Sequence, residues 1–252
     1  MAHVHESIDS FPVRNVPLTR PFVWLALAWD DMFDHPAASL AYGLLVTSMG
    51  ALILLYGRHP FFIGAAWIGF LLAGPIFTAG LCELSRRREE GSIADFQSSL
   101  KPLSHNRASL LGVAETLAVM ALIWFVLSGL IYYVANGAVA PTLTSTVWGD
   151  VMRQLNIAQL TLYLSVGLVL CAAVFSLSVV TVPMIVDRHV KASTAMRMSL
   201  RVTVRDLPAM LVWAMLIAAL VLFGFATALI GMVFVFPLLG HATWRAYREL
   251  VE

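Results

Sequence analysis

Three ionisable side chains lie within long apolar stretches of this sequence: Glu83, Glu115 and His241. A charge at lipid depth is costly, so such groups mark ion or proton pathways, counter-ions or bonds between helices. Glu115 falls about two turns into its apolar stretch and is the candidate for a proton or cation pathway. Glu83 and His241 fall near the ends of theirs, where a side chain reaches headgroups or water. The plainer role for all three is snorkelling or a hydrogen bond to a neighbouring helix. Four histidines, His35, His105, His189 and His241, share a similar depth. A haem or metal site needs imidazoles that converge within the spans, and these sit at the span mouths, so no metal or cofactor is expected. Cys82 and Cys171 each stand alone in an apolar segment without a CxxC partner and read as buried thiols. There is no Walker loop, no GxGxxG after a strand, no HExxH and no GxSxG, so an enzyme is not expected.

The 252 residues are 60% hydrophobic and 12% charged, where soluble domains hold about 25% charged residues. So little polar surface cannot cover a water-facing globule; lipid must solvate part of it. The net charge of +1 offers no basic face for nucleic acid. The opening "MAHVHESIDSFPVRN" lacks the apolar core of a cleavable signal peptide.

A crossing takes about 20 apolar residues. Six are expected, at 37–56, 61–84, 110–134, 160–185, 208–223 and 226–246, the last two divided near Gly224. Of the 16 Lys and Arg residues, fourteen fall in the tails and in the loops 85–109 and 186–207, against only Arg58 and Arg153 on the other side. Basic residues stay with cytoplasmic loops, so both termini are expected in the cytosol, with residues 1–20 as a cytoplasmic tail. Trp24, Trp29, Trp244 and Tyr247 read as inner interface anchors, and Tyr56, Tyr132 and Tyr133 as outer ones. A turn at 57–60 and a short surface helix near 148–157 complete the outer side.

Three segments resemble one another: "DHPAASLAYGLL" from Asp34, "HNRASLLGVAETL" from His105 and "DLPAMLVWAML" from Asp206. Asp34 and Asp206 fit helix caps, because a carboxylate there accepts from unpaired backbone N–H groups and suits the dipole. A proline in a first turn loses no hydrogen bond. The far end of each unit carries an intramembrane proline, Pro75, Pro183 or Pro237, followed by basic residues; each is expected to kink its helix. Amphipathic stretches precede the units: "PFVWLALAWDDMF", "SIADFQSSLK" and "TAMRMSLRVTVR", the last aligning Met196, Leu200 and Val204 on one face. The fold expected is all-α: a polytopic transmembrane bundle forming one domain over 1–252. It would comprise three parallel repeats, about 21–84, 92–185 and 194–247, each an interfacial helix plus a two-span hairpin.

From "AWDDMFDHPAASLAYGLL" through "GPIFTAGLCELSRRREEG" to "FPLLGHATW", the chain resembles a bacterial family of predicted integral membrane proteins of unknown function. Some members of that family carry a cytochrome c oxidase subunit label. The resemblance implies the bacterial inner membrane and association with a respiratory complex, and it transfers no catalytic residue. This chain lacks the mid-span histidines of a haem–copper subunit. The function expected is a non-catalytic accessory, assembly or scaffold protein acting through helix packing, aided by small-residue positions such as Gly64, Gly69, Gly74 and Gly80. Its expected partners are membrane lipids, other inner-membrane proteins or a second copy. The alternatives are a small transporter or channel with a polar pathway near Glu115, and a lipid-interacting or membrane-shaping protein.

Overall fold

The computed structural model describes residues 12–56, 60–92, 94–136 and 156–251, excluding the side chains of 53–56, 60–73, 75, 128, 132, 135 and 136. Every regular element among the described residues is a helix. In chain order these are α1 (Arg20–Asp34), α2 (Pro36–Tyr56), α3 (Pro60–Glu89), α4 (Phe96–Ser99), α5 (Lys101–His105), α6 (Arg107–Asn136), α7 (Ile157–Ser178), α8 (Thr181–Arg188), α9 (Ala192–Arg205), α10 (Leu207–Ala226) and α11 (Met232–Val251). The expected turn at 57–60 and surface helix near 148–157 fall largely outside the described residues.

Among the described residues, three helices are long and apolar enough to cross a membrane: Arg107–Ile131, the α7–α8 run Ile157–Arg188 and Leu207–Ala226. The apolar part of α2, Pro36–Leu52, is shorter. The expected sixth span differs most, because α11 carries Arg245, Arg248 and Glu249 in its last turns and is buried along much of its length. It packs against α1, α2, α3, α8 and α10, so protein rather than lipid surrounds it.

Local chemistry sets the boundaries. Proline stands at the start of α1, α5 and α10 (Pro21, Pro102, Pro208), and Pro36 opens α2, where a missing N–H breaks no helical bond. Asp95 caps α4 through a reciprocal capping box with Ser98. Gly91, at φ 66°, ends α3 in a Schellman turn, with Ser92 N–H donating to Arg87 O and Gly91 N–H to Arg88 O. The turn between α10 and α11 comes later than Gly224. It has the same geometry on non-glycine residues: Ala228 and Leu229 take φ 52° and 69°, and Leu229 N–H donates to Gly224 O. Gly224 instead permits close packing, since a Cβ there would lie 2.4 Å from Met232 Sδ.

Pro183 lies in α8, three residues beyond the turn at Val179–Val180 that divides α7 from α8. It has no N–H to donate to Val179, which accounts for the interruption. Pro237 is buried inside α11. Pro75 lies within α3, and its side chain is outside the described set.

Burial is concentrated at one end of the bundle, which we call the capped end because the short helices α1, α5 and α9 contribute to its core. Trp24, Ala28, Met184, Ile185, Ala195, Met198, Val202, Met210, Trp213, Trp244 and Tyr247 form one core there. Trp24 and Trp213 meet edge to face at 5.7 Å. Trp24, Trp244 and Tyr247 are therefore core residues rather than interface anchors; Trp29 is half exposed and stacks near Phe33. In α9 the buried stripe is Ala195, Met198, Ser199 and Val202, while the expected apolar face keeps Leu200 and Val204 exposed. The helix thus has one face for the bundle and a second apolar face outside it.

Candidate functional site

Helix α1 turns Trp24, Ala28, Asp31 and Met32 inward on one face. An acid on that stripe is buried with it: Asp31 is 2% exposed. Its carboxylate accepts from Arg245 on α11, Nε to Oδ2 at 2.8 Å and Nη2 to Oδ1 at 2.5 Å. It also accepts from Arg88 at the end of α3 and from Ser85 Oγ at 3.0 Å. Arg88 also pairs with Asp34, and Glu89 accepts from Arg245 at 2.6 Å and pairs with Arg248 at 3.2 Å. Three carboxylates thus meet three guanidinium groups where α1, α3 and α11 converge. Burial on its own would raise the Asp31 pKa, but the hydrogen bonds and charge of Arg245, with Arg88 behind it, hold it below the usual carboxylate value.

The network continues inward through neutral groups. Ser85 Oγ lies 2.7 Å from His241 Nδ1, and His241 Nε2 lies 2.9 Å from Ser39 Oγ on α2. An ionised Asp31 has no proton to give, so Ser85 must donate to it. Nδ1–H then donates to Ser85, and Ser39 O–H donates to Nε2. All three bonds point the same way, toward the carboxylate, and each polarises the next. The composition is that of a serine–histidine–aspartate relay with a second serine interposed. Ser39 is 0% exposed, so no substrate carbonyl can reach its hydroxyl. The arrangement instead locks α1, α2, α3 and α11 in register.

The other expected residues fall as follows. Glu83 is buried and clamps its own helix, accepting from Arg86 at 2.8 and 2.9 Å and from Arg87 at 2.7 Å. His241 is the centre of the relay. Asp34 is the last residue of α1, beside Arg88. Asp206 does occupy the position before α10, but it makes no side-chain bond to that helix. The segment before α1 passes close enough for the Val16 N–H to take its carboxylate at 2.8 Å instead. Glu115 is exposed on α6, facing away from the bundle. Of the four histidines, His105 and His189 line a common cavity, and among the described residues no three His, Cys, Asp or Glu side chains converge on a metal position.

Asp31, Ser39, Ser85, Arg88 and Arg245 were not singled out by sequence reasoning. The available signal was an acid at helical spacing from Trp24 and Ala28, on the apolar face where water cannot serve it.

No curated protein and no solved structure matches the chain. One family profile does, spanning α3 through α8 and leaving the partners that α1, α2 and α11 contribute to the network outside the matched stretch. Residues 63–187 match the model of the family described as predicted integral membrane protein (DUF2189), and the long apolar helices among the described residues are those of an integral membrane protein.

Proposed function

We propose that this protein is a non-catalytic scaffold or accessory subunit of the bacterial inner membrane, acting through helix packing. In this reading the chain crosses six times as three parallel units, each an interfacial helix followed by a hairpin, with the capped end and both termini in the cytosol. The element order α1–α2–α3, α4/α5–α6–α7/α8 and α9–α10–α11 supports the three units. The arginine-rich loops at the capped end support the orientation.

The observation that carries the function is Glu115. It lies eight residues, or about 12 Å, into α6, and it is exposed outside the bundle. A carboxylate facing hydrocarbon is unfavourable by about 2.5–3.5 kcal/mol at mid-membrane. A partner helix offering a donor removes that penalty. Around it, Leu111, Val119, Leu122 and Val126 are exposed and apolar, the composition of a helix-packing face. A transport pathway past Glu115 has a geometric basis only in an assembly where a second chain covers this face. The exposed Phe22, Trp29 and Phe33 of α1 and Leu200 and Val204 of α9 favour direct lipid contact as an accompanying role.

The test is purification in mild detergent followed by native mass measurement. The expected result is a co-purifying membrane protein or a second copy, weakened by Glu115→Gln. A strictly monomeric particle without a protein partner overturns the reading.

A further inference from the structure

Where α5 meets α6, opposite the loop after α8, the surface holds a cavity of about 310 Å³ lined by His105, Asn106, Ala108, Ser109 and His189. We infer that this cavity binds a phosphate group, carried either by an anionic lipid headgroup or by a free phosphate. The inference does not rest on the scaffold reading.

Three features converge on it. The first is the start of α6, whose 30 residues bring the positive end of the helix dipole and its unpaired N–H groups to the cavity wall. The second is Asn106, only 5% exposed yet part of the lining, whose Nδ2 has no partner. Its Oδ1 lies 3.0 Å from His189 Nδ1. With Oδ1 taken by the histidine, the atom left unanswered is the Nδ2 donor, which is rare in a buried side chain and is relieved by an anionic oxygen. The third feature is the lining itself. Ser109 and His105 add donors, and Arg107 and Lys191 flank the lining residues in sequence, while Arg188 is paired with Asp187 at 3.0 Å. The nearest acid in sequence, Asp187, already accepts from Tyr247 at 2.6 Å.

His189 is also held in an unusual way. It ends α8 with φ 54°, in the left-handed region that side chains seldom adopt. Such conformations persist where surrounding contacts over-determine them, and they gather at ligand sites. Here the strained backbone aims the imidazole at Asn106.

The experiment uses the full chain, labelled with 15N-histidine, in neutral detergent micelles. Inorganic phosphate, short-chain phosphatidic acid and short-chain phosphatidylcholine are titrated separately, and the His105 and His189 ring resonances are followed. Phosphate or phosphatidic acid should move both histidines at millimolar concentration. Movement by both indicates recognition of the phosphate itself; movement by phosphatidic acid alone assigns a lipid headgroup, and by phosphate alone a soluble anion. Ser109→Asp places a carboxylate in the cavity while favouring the first turn of α6, so the fold is preserved. It should weaken binding about tenfold or more through like-charge repulsion. No movement with either anion, equal movement with phosphatidylcholine, or undiminished binding by Ser109→Asp overturns the inference.

Discussion

The capped and open ends of this bundle are built from the same kinds of residue and behave oppositely. At the capped end, Met198, Val202, Met210 and Trp213 have no exposed surface. Toward the open end, Phe125, Val134 and Leu168 are each more than 70% exposed. Burying an apolar side chain away from water is favourable in proportion to area. Moving it from lipid to a neighbouring helix gains no such driving force. The helices therefore pack closely at the capped end and elsewhere leave their apolar surface to lipid or partners. The ion network lies in the packed half, where removing a partner is most damaging.

Four measurements bear on that contrast. The largest expected effect is from Asp31→Ala, which removes the buried carboxylate and leaves Arg88 only Asp34 and Arg245 only Glu89. It should destabilise the fold by about 3–5 kcal/mol, read by denaturant titration in mixed micelles; a loss below about 1 kcal/mol would mean the network behaves as a surface pair.

Next is a pair of glycines. A Cβ on Gly43 would lie 2.0 Å from the backbone oxygen of Val233, and one on Gly129 would meet nothing within 4 Å. Gly43→Ala must separate α2 from α11 and should destabilise by about 1–3 kcal/mol. Gly129→Ala should be neutral or mildly stabilising, alanine being the better helix former by about 1 kcal/mol. Equal thermal midpoints for the two variants would erase the distinction between packed and unpacked helix surface.

Acid comes third. The folded-state pKa of Asp31 is depressed, so its contribution is complete above the unfolded value of about 3.9 and is lost as pH falls through the lower folded value. Stability should therefore decline below about pH 4, and Asp31→Asn should flatten that limb of the pH profile. An unchanged profile in the variant would place the acid sensitivity elsewhere. The smallest loss of stability is expected from Glu115→Gln, which removes a lipid-facing charge and should be neutral or stabilising, although association with a partner should fall; a large folding defect would mean that Glu115 faces the bundle.

Much of the helical layout was readable because it depends on local chemistry. Prolines 36 and 208 open helices, as the residue type requires. The α10–α11 boundary was misjudged because Ala228 and Leu229 carry left-handed conformations that sequence normally assigns to glycine, which drew the division to Gly224. The network was hidden for a different reason: Asp31 and Arg245 are 214 positions apart, and no local pattern links them. Trp24 and Trp244 carry the composition of interface anchors, and only the packing of α1 over α11 turns them into core. Glu115 was visible as an anomaly, but its outward direction depends on which faces of α6 meet α3 and α7.

The position of α11 at the centre of the bundle also fixes the order of events during biosynthesis. Every helix it touches leaves the ribosome before it does. Asp31, Ser39 and Ser85 therefore emerge long before Arg245 and His241 exist to answer them, and headgroups or water must serve those polar atoms in the interval. Completion of the network thus waits on α11, which slots among helices that precede it in the chain.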